Sequence, residues 1–361
     1  MRAQIVATGL AMLCALLPGL AGRAPANAAE DGQDSWQQLA RRIESTLRTG
    51  RPALQIGNLD GDSHEVFGKI GRVIVDPVMG VFVLDEQALA LRGFDLSGGH
   101  LGSAGGAGGG PGEFRRPVDM LMDGGKQLHV LDSRLSRISI ITFAAGAARA
   151  REVRLELPGD SFCLLNDNYY LLTPADSTVI RQVDRTGALR HSFAPQVNLI
   201  RYTNVSQNAA FSFRAGENRG RLLCEAGRGL IVHVHNAAGL IRAFRSTGEL
   251  AWESKLRDFH QVRYTPVQGG RFYAQTGDPK SGTASFITEA VLLTNDVLAV
   301  TLVDRRLLKG SRSTQELRLV ALSDGRELRR ISTELTLTAI HNNRLYAYMQ
   351  EPYPRILVFD F

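Results

Sequence analysis

The stretch that most constrains this chain runs from Gly110 to Ile141. A Gly110-Pro111-Gly112 turn leads through Glu113-Phe114-Arg115-Arg116-Pro117 into a short apolar run, Val118 to Met122. Asp123-Gly124-Gly125 then turns the chain, Leu128-His129-Val130-Leu131-Asp132 reads as a second strand ending in Asp, and Arg137-Ile138-Ser139-Ile140-Ile141 opens a third. Such a unit has apolar residues on both faces of its strands, so it is stable only when neighbours cover it. The unit must therefore recur. Val81-Phe82-Val83-Leu84-Asp85 repeats the Asp-terminated strand 47 residues earlier (Asp132 against Asp85), a spacing proper to propeller repeats.

Four further strand triplets follow the same order. They start at Phe162-Cys163-Leu164-Leu165, at Arg221-Leu222-Leu223-Cys224, at Ala290 to Leu293 and at Leu337 to Ile340. The Gly110–Ile141 unit resembles the NHL-type repeat, in which a GPGEF-x-x-P entry precedes a strand ending in a V-x-D step and resuming at R-I. That resemblance implies an all-β, six-bladed β-propeller. Seven blades is the main alternative, because Val262 to Gln275 offers extra strands and Tyr202 to Phe213 is unassigned; a parallel β-helix or a sandwich fits the triplet spacing less well. Outer fourth strands are harder to read, with Glu152 to Leu157 and Glu249 to Leu256 the best candidates. The last triplet ends at Phe361 without an outer strand, and Ala53-Leu54-Gln55-Ile56 is expected to supply one and so protect an open sheet edge.

The N-terminus has the form of a secretory leader. Arg2 precedes an uncharged apolar run from Ile5 to Ala21, and Ala26-Asn27-Ala28 places small residues before a cleavage point at Ala29. The run is too short, and too interrupted by Pro18-Gly19, for a spanning helix. Cys14 lies mid-run, where a lipid-attachment cysteine does not. Residues 1–28 are thus expected to be a signal peptide, 29–52 an amphipathic helix with Trp36, Leu39, Ala40, Ile43 and Leu47 on one face, and 53–361 the propeller. The product is expected to be periplasmic or secreted, with no membrane segment left after cleavage, and monomeric. Cys163 and Cys224, on the first strands of neighbouring units, are either a disulfide or two buried thiols.

Charge excludes little but directs the choice of partner. The formal charge is +6, of which Arg2 and Arg23 carry two in the expected leader, leaving +4. Only five of 42 basic residues are lysine, and the arginines are dispersed among acidic residues with no like-charge block, so a nucleic-acid footprint is not expected.

In a propeller, the loops from second to third strands share one face with the entries to the first strands. That face is expected to hold Asp85, Glu113, Arg115, Asp132, Arg134, Asp176, His235, Asn236 and Asp304, and a ligand there is the first reading. For the strand-ending Asp residues, capping of the following turn is the plainer alternative. Gly98 to Gly110 is expected to be a flexible loop, because a strand follows it where a phosphate loop would have a helix and a Lys. His129, His233, His235 and His341 lie on or beside strands. Some six-bladed propeller enzymes, the peptidylglycine lyases and gluconolactonase-like hydrolases, hold a channel metal, but their motifs do not match residue by residue here. No G-x-S-x-G elbow occurs. The leading expectation is a non-catalytic module that binds a protein, peptide or glycan and needs no cofactor. The alternative is a lyase or lactone hydrolase with channel calcium or zinc.

Overall fold

The computed structural model describes residues 27–144, 147–199, 206–267, 272–278, 281–306 and 313–361. Nearly all of the expected leader lies outside the described residues. Helix α1 (Asn27–Thr49) opens the described chain. Its residues up to Leu39 form one unit, and Ala40–Phe361 form a second.

After β1 (Leu54–Ile56) come six four-stranded antiparallel sheets. Blade one is β2 (Ile70–Asp76), β3 (Gly80–Asp85), β4 (Ala90–Phe94) and β5 (His100–Gly105). Blade two is β6 (Pro117–Met122), β7 (Leu128–Asp132), β8 (Arg137–Ala144) and β9 (Ala147–Arg154). Blade three is β10 (Ser161–Leu165), β11 (Asn168–Leu172), β12 (Thr178–Val183) and β13 (Leu189–Pro195). Helix α2 (Gln207–Asn218) leads into blade four, β14 (Gly220–Glu225), β15 (Leu230–His235), β16 (Leu240–Arg245) and β17 (Leu250–Lys255). A hairpin, β18 (Arg263–Val267) with β19 (Phe272–Thr276), precedes blade five, β20 (Thr283–Leu292), β21 (Val297–Arg306), β22 (Thr314–Ala321) and β23 (Glu327–Ser332). Blade six is β24 (Thr336–His341), β25 (Arg344–Met349) and β26 (Arg355–Asp360), completed by β1.

The first strands contact one another in sequence, β2 to β6, β10, β14, β20 and β24, and β24 returns to β2. That closed circuit makes the fold a six-bladed propeller. The ring is shut by β1, which pairs antiparallel with β26 at Leu54↔Val358, Gln55↔Leu357 and Ile56↔Ile356. Apolar side chains fill the spaces between blades: Leu84, Phe114 and Val130 between one and two, and Val83, Ile56 and Tyr346 between one and six. Middle strands such as β3, β7 and β15 are buried along their whole length, which fits their largely apolar sequences. Within the second unit, Ala40 and Ile43 of α1 are buried, Arg42 lies over the Phe361 ring at 4.3 Å, and Glu44 pairs with Arg329 at 2.6 Å.

Three expectations are corrected. The glycine-rich segment is not a free loop, because His100–Gly105 is the outer strand of blade one. An outer strand packs on one side only, so it tolerates residues that a middle strand does not, and Gly102 at φ 147° forms part of the bulged register there. The outer strand of blade two begins at Ala147 and ends at Arg154, upstream of the expected position. Val262 to Gln275 makes no seventh blade, since β18 and β19 form a sheet of two. Residues 206–213 of the unassigned stretch belong with α2. The end of this helix is fixed by Asn218, whose Oδ1 accepts from the Val197 amide at 2.9 Å and whose Nδ2 donates to the Val197 and Arg214 carbonyls at 2.9 and 2.8 Å. Cys163 and Cys224 form a disulfide that joins the first strands of blades three and four. Among the described residues, no helix is long and apolar enough to cross a membrane.

Candidate functional site

Two of the expected site residues have their carboxylates committed to backbone. Asp85, fully buried, accepts from the amides of Gly68, Lys69, Gln87 and Ala88 at 2.8 to 3.1 Å. Asp132, equally buried, accepts from Arg115, Arg116, Arg134 and Leu135 at 2.7 to 3.0 Å. The four donors occupy the same offsets from the Asp in both blades. Each carboxylate thus ties the entry of its blade to the turn after the second strand, pairing turn amides that have no ladder partner.

Around the axis, polar residues from the first strands of five blades meet. Arg72 of β2 pairs with Glu289 of β20 and lies 3.5 Å from Asp119 of β6. Arg221 of β14 lies 3.1 Å from Asp119 and 3.2 Å from Glu289. Ser161 of β10 donates to Asp119 at 2.5 Å and accepts from the Leu222 amide at 3.0 Å. In β2, β6 and β20 the charged residue directly follows a bulge. Burial would lower the Arg221 guanidinium, but Glu289 and Asp119 more than offset it and hold the group above its ordinary value. Burial, then Glu289, raises the Tyr348 hydroxyl beside this layer. Two cations and two anions form a neutral plug across the channel. On the far side is a recess of about 370 Å³ walled by first strands and the disulfide. On the loop side is a mouth of about 200 Å³ lined by Glu86, Arg116, Asp160, Arg219, Arg221 and Asn236.

The mouth adjoins a larger cleft of about 730 Å³ that shares Arg116, Asp160 and Arg219 with it. Loops of blades two and three and the end of α2 build its walls. Leu157, Pro158, Pro174, Ala175 and Ala215 give it apolar surface, and Arg134, Asp176 and Arg181 complete the charged lining. Arg181 holds Asp176 through Nε at 3.0 Å and a second nitrogen, and Arg219 Nε lies 3.0 Å from Asp160. Arg181 is the main cause that lowers the Asp176 carboxyl, opposed by desolvation.

Of the nine expected residues, the structure brings Arg134 and Asp176 into the cleft and Asn236 to the channel mouth. The others are elsewhere. Glu113 accepts from the Gly110 amide at 2.7 Å, and exposed Arg115 borders the glycine-rich segment. Asp304 accepts from Ser285 at 2.5 Å. His235 is fully buried, stacked on His233 with ring centres 3.8 Å apart, and its Nδ1 is 3.0 Å from the Glu217 carbonyl. His129 lies between Tyr169 at 2.8 Å and Asp123 at 3.1 Å. Among the described residues, no three His, Cys, Asp or Glu side chains group as a metal set. Sequence reasoning missed Arg116, Asp160, Arg181 and Arg219, and the axial Arg72, Asp119, Arg221 and Glu289. The cleft residues come from three separate loops and, for Arg181, from β12, with no shared spacing, whereas the axial set carried a signal, a polar residue before the first-strand apolar run.

No protein-family model matches the chain, and no curated protein sequence matches it. Solved structures do. A Bacteroides fragilis protein assigned as exported superposes with a TM-score of 0.54 at 12% identity, over 86% of this chain and 96% of that one. A DUF4221-family member from Bacteroides vulgatus gives 0.53 at 10% identity, over 86% and 97%. The β-propeller domain of Myceliophteria thermophila Cps50 (Swd1) gives 0.50 at 13% identity, over 86% and 99%. At these identities the likeness is one of fold.

Proposed function

We propose that this chain is an exported, non-catalytic propeller with NHL-like repeats, and that it binds a protein, peptide or glycan ligand in the cleft between blades two and three. One observation carries the reading: the channel is plugged at its loop end by paired charges, while beside the plug a roomy cleft opens with apolar walls and a rim of arginine. Clefts of this size with few polar groups are where ligands seat. Export is supported by the leader-like N-terminus, by a disulfide of the kind that persists in oxidising compartments, and by the exported assignment of a structural neighbour. The channel-metal enzyme is the weaker reading, because Asp119 and Glu289, the carboxylates nearest the axis, are each already held by two arginines. A test is to attach a bulky maleimide group at an Ala175→Cys variant and measure retention of ligands from an envelope extract. The reading predicts loss of the retained species; retention at the unmodified level contradicts it.

A further inference from the structure

Blades one and two carry the same device with one difference. In blade one, Lys69 hangs beside the turn pinned by Asp85, and Glu86 neutralises it at 2.5 Å. In blade two, the equivalent cation is Arg116, and the position of Glu86 is taken by Ser133. The backbone link is the same: the Ser133 amide donates to the Arg116 carbonyl at 3.0 Å, as the Glu86 amide donates to the Lys69 carbonyl at 2.9 Å. A second cation, Arg134, stands one residue on, and its amide and that of Arg116 both donate to the buried Asp132 at 3.0 Å. Both guanidinium groups are exposed on the cleft rim, and among the described residues neither has a carboxylate within 4.0 Å. The cleft's own acids are engaged elsewhere, Asp176 by Arg181 and Asp160 by Arg219.

We infer that the cleft recognises an acidic peptide segment, whose carboxylates pair with Arg116 and Arg134 while a neighbouring apolar side chain lies on Leu157, Pro158 and Ala175. This rests on the binding reading above. Forked guanidinium groups on a pinned backbone match carboxylates in two-point geometry. A uronic-acid glycan would share the charge, but among the described residues no aromatic side chain lines the cleft to stack on the apolar face of a sugar ring. A short peptide instead finds apolar walls in which Pro158, Pro174, Ala175 and Ala215 lose little entropy on contact.

The test pans a random heptapeptide display library on the purified protein and measures selected peptides by fluorescence anisotropy at two salt concentrations. Oligogalacturonate serves as the glycan arm. The expected result is enrichment of Asp or Glu next to apolar residues, with binding weakened roughly tenfold or more by Asn/Gln isosteres or by the R116Q/R134Q double variant, as for lost charged hydrogen bonds. Salt should weaken it too. Neutral or basic peptides, acidic peptides indifferent to R116Q/R134Q, or preferential binding of oligogalacturonate would overturn the acidic-peptide assignment; if these ligands are still blocked by a maleimide group on Ala175→Cys, the cleft reading survives. Binders unaffected by that block, or no binders at all, overturn both.

Discussion

The two aspartates that close second strands show what single residues can and cannot announce. Asp85 and Asp132 were legible as turn caps or as ligands, and their sequence setting suits both. The structure commits each to four backbone amides at identical offsets, so Asp132→Ala leaves four donors without this partner while removing no cleft group. We expect it to cost about 2 to 4 kcal/mol in urea unfolding, with a loosened Arg116–Arg134 rim; a change within experimental error would show that the carboxylate is dispensable. Histidines provide the pH dependence. Burial holds His129 and His235 down to about 4, from an ordinary value of 6.5, and Asp123 only partly opposes this at His129. The unfolded chain therefore binds more protons than the folded one between those values. Stability is full above pH 6.5 and declines as pH falls towards 4, by up to about 3 kcal/mol per histidine. Lowered carboxylates such as Asp76 add their loss at still lower pH. Urea midpoints between pH 7 and 4.5 should fall, and less steeply in His129→Gln; a midpoint that rises on acidification contradicts the assignment.

Among elements, the second strands were the most legible and the first strands the least understood. Val118–Met122, Arg221–Cys224 and Ala290–Leu293 read as apolar strands, the first strand of blade one went unread, and the charges at 72, 119 and 289 drew no notice. Arginine dispersed along the sequence gave no hint of this layer, because only ring closure brings positions 72, 119, 221 and 289 together. Removing one member is predicted to be worse than removing all. Arg72→Met leaves Asp119 and Glu289 buried with half their cations and should cost about 3 to 5 kcal/mol, whereas apolar replacement of all four is expected to be near neutral. Equal losses in the two variants would show that the layer is not a coupled unit. Helix α2 escaped notice because Gln207–Asn218 is weakly patterned, with Gly216 near its end, and because it is anchored by Glu217 and Asn218 to a distant segment. The outer strand β5 was obscured by the low strand propensity of glycine.

For the whole molecule, closure joins the two ends of the second unit's sheet order. Leu54–Ile56 was readable as a strand seeking a partner, since the last triplet lacked an edge strand, and it pairs with β26. Ile56 is 3% exposed between blades one and six. Ile56→Asp should open the ring and expose the β26 edge, seen as a lower melting temperature with self-association in light scattering; a monomer of unchanged stability would contradict closure by this strand. The cleft was the least legible part, because its lining is gathered from blades two and three and α2, and no local spacing encodes a surface made by blade packing. The most direct test of the account places a photo-crosslinking amino acid at Ala175 in the cleft or at Val78, which is 78% exposed on the turn between the first and second strands of blade one. Irradiation in the producing cell is predicted to give discrete adducts from position 175, lost when Arg116→Glu and Arg134→Glu are added, and none from position 78. Adducts from position 78 alone, or from 175 without dependence on the two arginines, would contradict it.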